Sequence, residues 1–156
     1  MNTDNCLILA CRIHGRMCGL RLEDVVQTLP FLPIEPVRQP TPGVLGVCRV
    51  HGEPLPVIDL AMVFGAASAS RRVDETRTGA MVALRVAGRQ VMIVVEAIDG
   101  IHAMTPAAFR DLPPLIKGIG TSGPFDAIAD LDAQFIGIIQ ASRLLSDELL
   151  ARQSGI

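Results

Sequence analysis

Tryptophan and tyrosine are absent, and phenylalanine occurs five times in 156 residues. Single-stranded nucleic acid is gripped by stacking bases on aromatic rings, so a platform of that kind is excluded. Tyrosine is also removed as a catalytic acid or nucleophile. There is no basic surplus: 14 Lys and Arg stand against 16 Asp and Glu, a net charge of -2. Electrostatic capture of a phosphate backbone needs that surplus, so nucleic acid is not an expected partner. No apolar run approaches the ~18 residues of a membrane-spanning helix. The apolar runs, residues 91–95 among them, are strand-sized. The start, MNTDNCLILACRIHGRMCGL, lacks a basic leader, and Arg12 and His14 interrupt its apolar run, so it does not read as a signal peptide.

What is present is apolar content, at 49%. A chain of this length forms one domain or two small intimate ones, and buries ~70% of its unfolded surface without a metal or disulfide staple. The cysteines, Cys6, Cys11, Cys18 and Cys48, lie in the first third, inside apolar segments. They read as buried, reduced thiols of a cytosolic protein. No Cys-x-x-Cys pair or other zinc-like spacing occurs, so no metal and no cofactor are expected.

Short runs rich in Val, Ile and Leu alternate with glycine-containing turns, which is strand punctuation. Three hairpin signals stand out, at residues 12–17 (RIHGRM), 49–54 (RVHGEP) and 85–90 (RVAGRQ), and a fourth at 130–133 (DLDA). In the first three, glycine supplies the positive φ of a tight reversal. Aligning them exposes a duplication. Gly15-Arg16 recurs 73 residues on as Gly88-Arg89; Leu22-Glu23-Asp24-Val25 as Val95-Glu96-Ala97-Ile98; Pro33 as Pro106. Residues 42–47 recur as 114–119 at an offset of 72. Several matches in one order indicate two related β units. Each unit has a hairpin, a short acidic-apolar turn or helix (22–26 and 96–101), a proline-rich crossing, a second hairpin and a terminal apolar segment. Five prolines make 30–42 an extended crossing. Residues 64–79, polar and small, read as a linker. Residues 142–150 space their leucines as a C-terminal amphipathic helix does.

Reactive constellations are thin. His14 and His51 stand beside turn glycines and read as exposed loop tips. Cys48 and His51 are an odd number of residues apart and point to opposite faces of a strand, so they do not form a nucleophile pair. Glu23, Asp24, Glu96 and Asp99 read as caps of helical turns. Asp59, the one acidic residue in a strongly apolar segment, reads as a hydrogen-bonding group at a strand end. Residues 118–123 (GIGTSG) lack the lysine of a phosphate loop. No catalytic residue emerges, and binding or scaffolding through apolar faces and sheet edges is the default.

Residues 19–65 resemble the CheW-like coupling domain of bacterial chemosensory systems. The matching pieces are Leu22-Glu23-Asp24-Val25, the crossing from Pro33 to Pro42, Gly46-Val47, Gly52, Pro56-Val57-Ile58-Asp59-Leu60 and Phe64-Gly65. Residues 88–91 and 94–98 match the family's second half. The resemblance implies a mainly β fold: two intertwined, five-stranded SH3-like barrels related by duplication (about 5–65 and 79–141), with a short C-terminal helix (142–152). It also implies a non-enzymatic, cytoplasmic adaptor recruited to chemoreceptor arrays. Such an adaptor bridges the cytoplasmic tip of chemoreceptors and the regulatory domain of a CheA-type histidine kinase, without membrane insertion.

Two departures matter. The family's Asn-Leu-Arg-Gly turn is Arg49-Val50-His51-Gly52, so His51 replaces its arginine. Residues 49 and 51 alternate onto one strand face, and Arg49 is expected to supply the displaced charge, unless the turn is simply solvated. The family's Val-x-Glu-Ile is Val25-Val26-Gln27-Thr28, and the lost carboxylate points to a different partner. Candidate partner-binding residues, carried over by position, are Val25, Gln27, Gly46, Arg49 and His51; the duplication adds Ile98, the repeat partner of Val25, and points to Gly118 as that of Gly46. Val25 reads as core or interface, and Gly46 as a close-approach glycine or a plain bulge. The alternatives are a small-molecule-binding regulatory barrel, or a diverged coupler in a non-flagellar pathway.

Overall fold

The computed structural model describes residues 5–37, 43–58, 60, 79–111 and 125–144. Eleven strands occur among them: β1 (Cys6–Ile13), β2 (Arg16–Arg21), β3 (Val25–Pro30), β4 (Val44–Val50), β5 (Glu53–Ile58), β6 (Ala80–Val86), β7 (Arg89–Val95), β8 (Ala97–Met104), β9 (Phe109–Asp111), β10 (Phe125–Leu131) and β11 (Gln134–Ile139).

Four hairpins close on two-residue turns, His14-Gly15, His51-Gly52, Ala87-Gly88 and Asp132-Ala133, in each of which both φ angles are positive. Such turns match the right-handed twist of the flanking strands. Glycine takes the second position without steric cost in three of them. The fourth places Ala133 there, at φ 65°.

The strands form two sheets, ordered β8-β1-β2-β11-β10-β9 and β3-β6-β7-β5-β4. Each is SH3-like, and each is assembled from both copies of the repeat. The hairpin β6–β7 of the second copy is flanked by β3, β5 and β4 of the first. The hairpin β1–β2 of the first is flanked by β8, β11 and β10 of the second. The joins β2·β11 and β5·β7 are parallel, Ile139 opposite Leu20 and Ile58 opposite Ile93. The first sheet carries one strand beyond the expected five, the three-residue β9. In the second sheet Glu35 of the proline-rich crossing makes the equivalent bridge to Val47.

Alternation along the strands divides the core in three. Leu9, Cys11 and Ile13 of β1 face a seam that also holds Leu84, Val91 and Ile93 of the other hairpin. Ile8 on the opposite face of β1 enters the first barrel with Ile136 and Ile138. Met81, Met92 and Val57 fill the second. Both hairpins are buried on both faces, which explains their nearly unbroken apolar runs. Each fully buried Leu or Ile contributes roughly 1.5–3 kcal/mol.

Several expectations need correction. Residues 97–101 are not a helical turn: they belong to β8, paired with β1 through a bulge between Ala10 and Cys11. The β-branched Ile98 and Ile101 suit a strand, and the backbone bonds of β1 satisfy it. The turn expected at 22–26 is a single 3-10 turn, Leu22–Asp24, and no side chain caps it. Glu96 instead accepts a hydrogen bond from the Gly15 N–H at 2.6 Å, and Asp99 pairs with His102 Nε2 at 3.1 Å. Cys6 is half-buried rather than buried. Ala141–Leu144 forms a 3-10 turn with Ala141 and Leu144 buried. The helix expected beyond it, most of the linker at 64–79, Gly118 and Asp59 lie outside the described residues.

Candidate partner-binding surface

The structure distributes the six candidates over three places. Val25 and Gln27 lie on edge strand β3, opposite Leu84 and Ala83, with Val26 bulged between them. Val25 packs against the seam core, and Gln27 is half-buried beside it. Gly46 and Arg49 lie on β4, at the other end of that sheet's order. Ile98 lies on β8, the edge strand of the first sheet, opposite Cys11.

His51 is not on the strand face of Arg49. β4 ends at Val50, and His51 is the first residue of the turn, in the left-handed conformation. The alternation rule stops where the reversal starts. Arg49 donates from Nε to Glu35 Oε2 at 3.0 Å, and both side chains are more than half exposed. The charge is therefore presented as an ion pair anchored to the crossing.

Gly46 combines both readings offered for it. It sits at a β4 bulge, between the pairs Val44–Ile58 and Gly46–Val57. The crossing also runs against it: a side chain there would meet the Glu35 carbonyl oxygen and come within 2.8 Å of Ile34 Cγ2. Glu35 and Val47 exchange two backbone hydrogen bonds, at 2.7 and 2.8 Å, across this contact. The close approach is thus made by the chain's own crossing.

Further exposed apolar side chains complete the surface. Leu7 is 46% exposed, Ile101 58% and Phe135 61%. Leu7 opposes Ala103 and Leu9 opposes Ile101, so Leu7 and Ile101 are diagonal neighbours on one face. With Ile98 they form an apolar row along the first sheet's edge, continuing the face that Leu9 and Cys11 turn into the seam. Sequence reading missed Leu7 and Ile101 because exposure on an edge strand, or on the strand beside it, follows from topology. The duplication carried the only signal: β3 and β8 are equivalent, and β3 already held two candidates.

Among the described residues, clefts open at two places on the surface. One of about 630 Å³ is walled by Arg16, Met17, Cys18, Phe125, Phe135 and Gly137, among others. The other, about 330 Å³, is polar and lies between the copies, with Arg21, Glu23, Asp24, Arg85 and Asp126 on its walls. There Arg21 bridges to Asp126 at 3.0 Å. Partial burial, with Glu23 and Asp126 adding to it against Arg21, pushes the Asp24 carboxyl upward. Among the described residues, no group of three or more His, Cys, Asp or Glu could hold a metal ion. No helix among them is long and apolar enough to cross a membrane.

The sequence pattern of the CheW-like domain matches residues 7–149. The chain belongs to the CheW-like family. Its members are scaffolding adaptors, and the mainly β, two-sheet architecture is the CheW fold. The crystal structure of the scaffolding protein TtCheW from Thermoanaerobacter tengcongensis superimposes with a TM-score of 0.77 at 21% identity, over 90% of this chain and 92% of that one. At that identity the likeness is one of fold. A search of curated proteins found no match. The six candidates all lie on edge strands or the turn between β4 and β5, and the apolar row spans edge strand β8 and the adjoining β1.

Proposed function

We propose that this CheW-like protein is a cytoplasmic, non-enzymatic adaptor that couples chemoreceptors to the regulatory domain of a CheA-type histidine kinase. The observation that carries this reading is the match to the family over nearly the whole chain. The surface supports it: an exposed apolar row, Ile98 and Ile101 on edge strand β8 and Leu7 on the adjoining β1, offers an apolar face of the kind that docking uses. The Glu35–Arg49 pair offers a charged landmark elsewhere on the surface. Aliphatic side chains fill both barrel interiors, which favours the adaptor over a ligand-binding barrel.

Co-purification with the kinase and receptor of the same organism tests the reading. The chain is expected to join a ternary complex. Ile101→Glu should abolish capture of one partner while leaving the thermal midpoint unchanged, because the side chain is exposed. Arg49→Ala should weaken capture more than His51→Ala. A chain that binds neither partner would sink the proposal.

A further inference from the structure

Strands β1 and β2 place Cys11 directly opposite Cys18. Nearer the turn, Ile13 stands opposite Arg16 and closes the two-residue reversal. That closing pair exchanges backbone hydrogen bonds, and bonded and non-bonded pairs alternate along the ladder. Two steps on, Cys11–Cys18 is again a bonded pair, whose Cα atoms stand ~5.5 Å apart. A disulfide spans ~4.4–6.8 Å between Cα atoms. Both thiols are free and turn into the same seam.

The internal duplication supplies a control. In the second hairpin, Leu84 and Val91 stand opposite each other at the equivalent register. They face the same seam. Aliphatic side chains satisfy the packing at this position, so packing alone does not ask for two sulfurs in the first hairpin. The two thiols differ in position rather than in exposure, Cys18 being 1% exposed and Cys11 0%. Cys18 forms part of the wall of the 630 Å³ cleft, beside Arg16 and Phe135. Cys11 lies behind it, fully buried.

We propose that Cys11 and Cys18 form an oxidisable dithiol, in which a hydroperoxide entering the cleft oxidises Cys18 and Cys11 then closes a disulfide across the hairpin. The Cys18 sulfur takes the terminal oxygen of the hydroperoxide. The O–O bond breaks, an alcohol (or water, from hydrogen peroxide) leaves, and Cys18 becomes a sulfenic acid. The Cys11 sulfur attacks the Cys18 sulfur, the S–O bond breaks, and the oxygen departs as water with the Cys11 proton. In sum, two thiols lose two electrons and two protons, and the peroxide is reduced by two electrons. The bond joins strands that are already paired; opposed Cβ atoms of a bonded pair stand ~5.5 Å apart and a disulfide needs ~3.5–4.5 Å, so the two strands draw together by about 1 Å as it forms.

Burial pushes Cys11 up to about 12 and Cys18 up to about 11; Cys18 opposes Cys11 ionisation further, whereas Arg16 favours the Cys18 thiolate. The reaction is accordingly slow at neutral pH and faster in mild alkali, with Cys18 the first to react.

The test uses the full chain carrying Cys6→Ser and Cys48→Ser, folded and treated with hydrogen peroxide at mildly alkaline pH. Free thiols are then alkylated and the chain is digested with trypsin. Cleavage after Arg12 and Arg16 puts Cys11 in residues 1–12 and Cys18 in residues 17–21. The expected product is these two peptides joined, in a monomer, and separated again by reductant. Cys18→Val and Cys11→Leu, the side chains of the second hairpin, should each abolish the link; either variant suffices if the other fails to fold. Both peptides recovered unlinked, Cys18 recovered as an unlinked sulfinic acid, or a link found only between two chains would overturn the proposal. None of these outcomes depends on the adaptor reading, because no partner is present.

Discussion

In the second sheet Glu35 bridges to Val47, and its carboxylate holds Arg49, which stands opposite Pro54. In the first sheet Arg110 takes the place of Glu35, opposite Ile128, while Asp130 takes the place of Arg49, opposite Phe135. The guanidinium of Arg110 lies over the Phe135 ring, 5.8 Å from its centre. Acid and base have exchanged places, and a proline has given way to an exposed aromatic ring. The two copies keep the same strand register and the same filled interiors, yet their outer edges differ in chemistry. Register is held by backbone bonds and burial, which tolerate many surface side chains. A duplicated scaffold can therefore offer two unlike ends.

The largest expected effect separates two tightly packed glycines, one in each sheet. Gly46→Ala drives a methyl group into the backbone of Glu35, which cannot swing aside. A loss of ~2–3 kcal/mol is expected, read as a lower urea midpoint. Gly137→Ala, on β11 of the first sheet, meets the ring of Phe125 at 2.5 Å, a half-buried side chain that can rotate. Its loss should be nearer ~1 kcal/mol. Equal losses would break the distinction between a backbone and a side-chain contact.

The next effect separates the two hairpins of the seam. Cys11 and Cys18 ionise at higher pH folded than unfolded, where their ordinary value is 9.0. Their contribution is fully present below 9, and is lost as pH rises through the folded values of about 11 and 12. One unit above the ordinary value, each thiol removes ~1.4 kcal/mol of stability. The chain has no tyrosine and a single lysine, Lys117, so few other groups titrate there. Replacing the pair with Leu and Val, as in the second hairpin, should flatten most of the alkaline decline in urea midpoint. An unchanged slope would refute the assignment.

A smaller effect separates the turns. Ala133 adopts φ 65° where its counterpart is Gly52, at φ 81°. Ala133→Gly should raise stability by ~0.5–1 kcal/mol, and Gly52→Ala should lower it by a similar amount, both in thermal melts. Smallest of all are the edge charges. The Glu35–Arg49 pair is more than half exposed, so Arg49→Ala should change stability by ~0.5 kcal/mol or less. Its effect belongs in partner capture.

Much of this was legible from the residues. The hairpins could be read because glycine marks reversals, and the duplication because those glycines recur at one spacing. The exchange of strands between copies could not be derived from pattern, since β3 and β8 would satisfy either hairpin equally well; it came with the family resemblance. β9 is three residues long, too short for periodicity to show. Ile98 was reached through the duplication, as the repeat partner of Val25, but Ile101 required knowing that β8 is an edge. The pairing of Arg49 and His51 on one face failed for a local reason: alternation holds along a strand, and His51 had already left it. Glu35 as the partner of Arg49 depended on the path of the crossing, which proline content restricts to extended backbone without fixing its direction.

The exchange of strands also bears on how the protein is made. The second sheet comprises five consecutive strands, β3 to β7, and all of it has left the ribosome once Val95 emerges. The first sheet needs β1 and β2 from the beginning of the chain and β8 to β11 from its later part. During synthesis the opening hairpin waits with apolar flanks, Ile8 on one side and Leu9 on the other, until β8 arrives. The order of synthesis thus allows the second sheet to close before the first, with β1 and β2 among the last strands to be covered.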